Sequence, residues 1–300
     1  MKQHDRQVVL IVGAPRSGTS LLYKLLCTHP DVNYLSNWNR RFPRIPQLAR
    51  LRQVPVRRVA RRDQVWFPGA NAYVAGERPW RDRLFPMPVE ADAFYAACGL
   101  YEAAGDEARR ATVGELVSRR LGAAMRSGGG THLVLKCVAN NAHLDALTAA
   151  FPEARIVDIT RDGRDVASSL ATVDWWQDVD LWWWRGTPRE WAAAGNDPME
   201  ACARHWVAEV ERLQHTLRAI ARPHFVHSLR YEDLVRDPAT ALHSVSTHIG
   251  LRSEPAWLAQ AAALPTGRKR GDAPVVPPIV DEVQADLLTA LGYQPHEFSS

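Results

Sequence analysis

Short apolar runs that end in a small or charged turn and give way to a helical pattern recur along this chain. The first, Val8-Val9-Leu10-Ile11-Val12, stops at Gly13, and beyond Gly18 an apolar helical segment opens with Thr19 and Ser20. This is the pattern of a buried strand, a small-residue loop and a helix start whose free N–H groups face an anion. The second runs from Arg155 to Thr160 into Arg161-Asp162-Gly-Arg-Asp165. Asp162 is placed to cap a helix on which Asp165 and Ser169, four apart, share a face. Leu133-Val134-Leu135 forms a third buried strand with Lys136 at its end, Phe225 to Arg230 a fourth ahead of a charged turn, and Val32 to Leu35 is a candidate short strand. A last amphipathic helix is expected near Asp281 to Leu291, behind Pro277 and Pro278.

Strands alternating with helices predict an α/β fold: a single domain over residues 1–300 with a central parallel sheet flanked by helices and ligands gathered at the carboxyl ends of the strands. Two long insertions interrupt it, at about 37–130 and 174–205. The first begins with Arg40, Arg41, Arg44, Arg50, Arg52, Arg57, Arg58, Arg61 and Arg62, interleaved with Phe42, Ile45, Leu48, Leu51, Val54 and Val59. It reads either as a membrane-surface or anionic-substrate patch, or as a solvated face over an acceptor-site cover. The second carries Trp175, Trp176, Trp182, Trp183, Trp184 and Trp191, more than half of the 11 tryptophans, which no one helix can bury. Part of it should pack on the core and part offer an aromatic surface for a sugar face or an apolar acceptor, with a dimer contact or core-packed flap as the alternative. Gly186, Pro188 and Gly195 would let it move as a lid.

A hydrophobic content of 46% over 300 residues suffices for one sizeable core. A net charge of +4 and a pI of about 9.0 suit a polyanionic cofactor but are too mild for nucleic-acid binding by themselves. No apolar run is long enough for a membrane span, and the polar Met1 to Arg6 lead at once into the first strand without room for a signal peptide, so a cytoplasmic protein is expected. Cys27, Cys98, Cys137 and Cys202 lie far apart with no CxxC, which argues for reduced thiols and against metal or disulfide roles.

The first loop, Gly13-Ala-Pro-Arg-Ser-Gly18-Thr19-Ser20, has the glycines and hydroxyl of GxxxxGK[ST], but Thr19 stands where a lysine would reach the β- and γ-phosphates. The expected ligand therefore lacks a triphosphate tail. One guanidinium, three hydroxyls and several helix-end amides can surround a phosphosulfate, with no metal demanded. Arg16, Ser17, Gly18, Thr19 and Ser20 resemble, residue by residue, the 5'-phosphosulfate loop of sulfotransferases that use 3'-phosphoadenosine 5'-phosphosulfate (PAPS), in particular the bacterial branch of this P-loop-like fold. The resemblance implies that Arg161 and Ser169, eight apart, hold the 3'-phosphate, with Ser168 as fallback, and that Tyr231, before Glu232 and Asp233, reaches the adenine. A charged helix cap and a core tyrosine are the plain alternatives for those two segments.

The resemblance also makes Lys136 a cation aimed at the sulfuryl group or leaving phosphate. Cytosolic relatives carry a base histidine two positions later, where this chain has Val138. The candidate bases are Glu77, in a segment Gly76-Glu-Arg-Pro-Trp80 similar to a bacterial branch, then His143 and Glu90, each with a structural alternative. Arg268, Lys269 and Arg270 resemble an element that closes over the 3'-phosphate, a solvated loop being the alternative. The two insertions would then lie over the acceptor site.

The function implied is transfer of a sulfuryl group from PAPS to a hydroxyl of a carbohydrate, lipid or natural-product acceptor, leaving adenosine 3',5'-bisphosphate. The partners expected are a small-molecule, glycan or lipid acceptor and a second copy in a homodimer, with no nucleic acid. A P-loop kinase or other nucleotide-phosphate transferase is the alternative, opposed by Thr19 and by the Arg161 and Ser169 pair. A non-catalytic nucleotide-binding or scaffolding protein is the third reading.

Overall fold

Five parallel strands form the sheet of the computed structural model, in the order β2-β3-β1-β4-β5, where β1 is Gln7–Val12, β2 Val32–Asn33, β3 His132–Lys136, β4 Arg155–Thr160 and β5 Val226–Arg230. The structure describes residues 6–68, 79–102, 107–220, 223–265 and 276–294. β1 is central, with Leu10 opposite Leu135 on one side and Ile156 on the other. A central parallel strand is covered on both faces, which is why β1 is an unbroken apolar run. Its period of two divides the core. Val9 and Ile11 join Val134, Val157 and Ile159 against the helices Thr19–Cys27 and Pro238–Ile249. Val8, Leu10 and Val12 join Leu133, Leu135 and Ile156 against the long helix Glu107–Gly128. A third cluster binds the helices Gly163–Ala171, Pro198–Ala219 and Pro278–Ala290 around Val166, Leu170, Trp206 and Val280.

β4 keeps its expected limits and β1 ends at Val12 as expected, whereas the strand expected at Val32 to Leu35 is cut to two residues. Asn33 Oδ1 accepts the Tyr34 amide at 2.9 Å and the Val89 amide donates to the Leu35 carbonyl at 3.2 Å, drawing both groups away from the β3 ladder. β5 starts one residue late because Pro223–Phe225 forms a 3-10 turn, and the terminal helix starts early, at Pro278, where a first-turn proline sacrifices no hydrogen bond.

The segment about 37–130 is more than a cover. Val113, Val117, Leu121 and Ala124 of the helix Glu107–Gly128 recur at helical spacing and are buried in the core. Ahead of it come the short helices Asn37–Arg41, Val59–Trp66 and Trp80–Leu84. Arg52, itself buried, ties this segment down by donating to the carbonyls of Pro30, Val32 and Gly128, which satisfies a charge that burial would otherwise penalise. In the tryptophan segment Trp176 and Trp191 are buried, Trp183 and Trp184 pack edge-on to Trp191, and Trp175 and Trp182 are exposed. All four cysteines are free and buried. Among the described residues no helix is long and apolar enough to cross a membrane.

Candidate active site

The carboxyl ends of β1, β3 and β4 bring three polar segments together. After β1 the chain turns at Gly13 (φ +153°), where a Cβ would collide with the Ile159 carbonyl, and enters its helix at Gly18 (φ +90°), where a Cβ would collide with the Tyr231 ring. No side chain caps the helix Thr19–Cys27, and its intrahelical bonding begins with the Leu21 and Leu22 amides on the Gly18 carbonyl, which leaves the Thr19 and Ser20 amides at the loop side for a ligand. Between the glycines Arg16 adopts φ +68°, a left-handed conformation that costs energy in a non-glycine residue and is typical of ligand-binding loops. Asn141 Nδ2 buttresses the turn by donating to the Gly13 carbonyl at 2.9 Å.

Arg16 reaches from this loop to the second motif. Its Nε donates to Ser169 Oγ at 2.8 Å, and Arg161 Nη1 donates to the Arg16 carbonyl at 3.2 Å. Arg161 also lies 4.6 Å from the Tyr231 ring centroid and 3.4 Å from Asp165. Asp162 caps its helix by accepting the Arg164 amide and is clamped by the Arg164 guanidinium. Glu232 accepts the Asp162 amide at 3.0 Å and the Tyr293 hydroxyl at 3.2 Å, so the residue after Tyr231 is structural and fixes the ring's approach.

The third segment supplies the cation that the loop lacks at Thr19. Lys136 Nζ, nearly buried, donates to Ser20 Oγ at 3.1 Å and pairs closely with Glu90. The second Glu90 oxygen accepts the Val138 amide at 3.0 Å. Cys137, between them, is no nucleophile: burial, reinforced by the Glu90 charge, pushes its thiol up to about 11.

Two sets of contacts thus meet on the one loop: Arg16 with Ser169, Arg161 and Tyr231, and Ser20 with Lys136 and Glu90. Ser169, not Ser168, takes the hydrogen bond from Arg16. Ser17 is fully buried and lines a small cavity beneath the loop with Asp158, Thr160 and Gln214. Thr19 is buried as well. His143 precedes the helix Leu144–Ala150 and packs its half-buried ring against Tyr101 at 5.4 Å, where burial lowers its pKa. Glu77, Arg268, Lys269 and Arg270 lie outside the described residues.

Sequence reasoning missed Asn141 and Asp165 as supports, and it missed Asp158. Asp158 projects from β4 into the Ser17 cavity and into a groove of about 1080 Å³ that runs along β5 past Gln214, His227 and Arg230. Burial pushes its carboxyl up to about 7. A lone acid within a strand pattern was the one available signal. The groove shares Asp158, Thr160 and Gln214 with the cavity beneath the loop but is lined by none of Arg16, Ser20, Glu90, Lys136, Arg161, Ser169 and Tyr231.

Two guanidiniums, an ammonium, the Ser20 and Ser169 hydroxyls and an uncapped helix start are a donor set for two separate anionic groups. Arg161 Nε, buried with no hydrogen-bond partner, marks unmet donor capacity in it.

A model of the sulfotransferase family matches residues 8–255. In fold the chain is similar to sulfotransferase STF9 from Mycobacterium avium, with a TM-score of 0.60, 18% identity and coverage of 96% of this chain and 78% of that one. It is also similar to STF1 from Mycobacterium tuberculosis H37Rv, with a TM-score of 0.53, 18% identity and coverage of 94% and 77%. A sulfotransferase domain from the curacin biosynthetic pathway aligns at a TM-score of 0.50 and 14% identity, over 96% of this chain and 98% of that one. No curated protein matches the sequence.

Proposed function

This chain belongs to the sulfotransferase family, and we propose that it moves the sulfuryl group of PAPS to an acceptor hydroxyl on a carbohydrate, lipid or natural product. The observation that carries the reading is the 2.8 Å bond from Arg16 to Ser169, which joins the first loop to the Arg161 segment, an arrangement that suits a nucleotide phosphorylated at its 3' and 5' positions. The cofactor would supply an activated sulfuryl group and leave as adenosine 3',5'-bisphosphate.

In this reading Arg16, Ser20 and the backbone amides of Gly18 to Ser20 hold the 5'-phosphosulfate, while Arg161 and Ser169 hold the 3'-phosphate. Tyr231, stacked on the Arg161 guanidinium, lies against the adenine. Lys136, held by Ser20 and Glu90, directs its ammonium at the oxygen on which negative charge grows as the sulfur–oxygen bond breaks, and Arg16 shares that charge. Of the two candidate bases among the described residues, Glu90 contacts Lys136 and His143 packs on Tyr101, so Glu90 would take the acceptor's hydroxyl proton as the new oxygen–sulfur bond forms. Its carboxylate is aimed by the Val138 amide and steadied by Lys136. The four buried, unpaired cysteines favour a reducing compartment and hence the cytoplasm.

Incubating the purified protein with sulfur-labelled PAPS and an extract of its producing organism, then isolating the labelled product, tests reaction and acceptor together. Label on an acceptor hydroxyl is the expected result. Absence of any labelled acceptor, combined with ATP and magnesium binding better than adenosine 3',5'-bisphosphate, would replace the reading with nucleotide-phosphate transfer.

A further inference from the structure

Seven large apolar side chains are exposed among the described residues, and five of them, Phe42, Ile45, Val59, Trp80 and Leu84, belong to the one stretch between β2 and β3. Trp80 is 66% exposed. Side-chain contacts bind the elements that carry them. Trp38 stacks on Phe42 while its Nε1 donates to the Leu84 carbonyl at 2.9 Å, and Arg61 pairs with Asp82, which joins the helix Val59–Trp66 to the helix Trp80–Leu84. Solitary exposed apolar residues need no explanation, but a cluster on joined elements does.

Charge is concentrated in the same place. Residues 37–102 hold twelve arginines against six acidic residues, an excess greater than the +4 of the entire chain. Asp63, Asp82 and Asp92 are each paired with an arginine of this stretch, Arg62, Arg61 and Arg40. Exposed Arg41, Arg44, Arg57, Arg58 and Arg81 have no carboxylate partner among the described residues. Arg41 and Arg81 lie 5.9 and 5.5 Å from the ring centroids of Phe42 and Trp80, so cation and aromatic ring are presented together.

We propose that this face docks on an anionic lipid bilayer, with its arginines against phosphate headgroups and Phe42, Ile45, Trp80 and Leu84 at the boundary between headgroups and acyl chains. Arginine and tryptophan each combine an apolar body with a polar end, the combination an interface between water and hydrocarbon favours. The clustered positive charge selects an anionic surface, since each arginine near it adds to the attraction. A soluble polyanion would use the guanidiniums and leave the apolar tips in water. The inference is independent of sulfuryl transfer, because it concerns a surface and not the nucleotide site.

Sedimentation of the full chain with vesicles of phosphatidylcholine alone, and of phosphatidylcholine containing phosphatidylglycerol, tests it. The expected result is partition at least about tenfold stronger onto the anionic vesicles, released by high salt. Trp80→Ser with Leu84→Ser, and separately Arg44→Glu with Arg58→Glu, should each lower that partition about tenfold or more with the melting temperature unchanged, since all four side chains are exposed. Equal partition onto both vesicles, no sedimentation with anionic vesicles, or undiminished binding by both pairs of variants would overturn the proposal. So would retention on heparin without vesicle binding, which would assign the arginines to a soluble polyanion.

Discussion

Glu90 accepts the Val138 amide at 3.0 Å with one carboxylate oxygen and meets the Lys136 ammonium with the other. The resemblance to cytosolic sulfotransferases implies a base at the Val138 position, and under the proposed function the Val138 backbone amide aims the Glu90 carboxylate to serve as that base. Glu90→Gln preserves shape and removes basicity. Turnover should fall on the order of a hundredfold or more while adenosine 3',5'-bisphosphate still binds in calorimetry. His143→Ala and Glu77→Gln are the comparisons: a collapse in either beside normal turnover in Glu90→Gln would move the base to that residue.

Arg16 and Arg161 touch each other through the Arg16 carbonyl yet should fail differently when removed. Arg16→Ala should lower the turnover rate about a hundred- to a thousandfold, because it deletes a donor to charge that develops in the transition state. Arg161→Ala should chiefly weaken nucleotide binding, and should shrink the preference for adenosine 3',5'-bisphosphate over AMP. Small and equal effects of both changes on rate and affinity would show that the two loops do not share a nucleotide.

At Gly18 the backbone conformation and the Tyr231 ring both exclude a side chain. Gly18→Ala should lower stability by at least about 1 kcal/mol and displace the ring. Nucleotide affinity should fall with it. Adding Tyr231→Ala removes the collision and leaves the strain, so the double variant should regain part of the melting temperature but none of the affinity. Thermal unfolding with and without bisphosphate separates the two effects.

Asp158 links the cavity under the loop to the pH dependence of stability. Its carboxyl is raised from 3.8 to about 7 by burial, so the folded state binds a proton that the unfolded state releases. Stability should be highest below about pH 4 as far as this group is concerned, fall between about pH 4 and 7, and level off above. Asp158→Asn should remove this loss, which is at most about 4 kcal/mol. Urea midpoints at pH 5 and pH 8 for the two proteins measure it. A slope unchanged by the substitution would show that the carboxylate is solvated in the folded state.

What the sequence determined by itself was local. The end of β1, the limits of β4, the turn at Gly13 and Gly18 and the cap at Asp162 all depend on interactions within a few residues: side-chain alternation, φ sterics and a carboxylate on a nearby amide. Those signals also placed Arg16, Lys136 and Arg161 at strand ends on one edge of a parallel sheet. The contacts that relate them were decided by the tertiary structure alone. Arg16 and Ser169 are 153 residues apart and Lys136 and Glu90 are 46 apart, and no periodicity in either segment specifies its partner. No pattern around Glu90 marks it as a neighbour of Val138, because the chain between β2 and β3 brings the two together through packing. The same segment takes the Leu35 carbonyl beyond the end of β2 with its Val89 amide, and it lays the helix Glu107–Gly128 on the sheet as core. A strand's pattern records which of its faces is covered, but the element that covers it is chosen by packing across the whole chain.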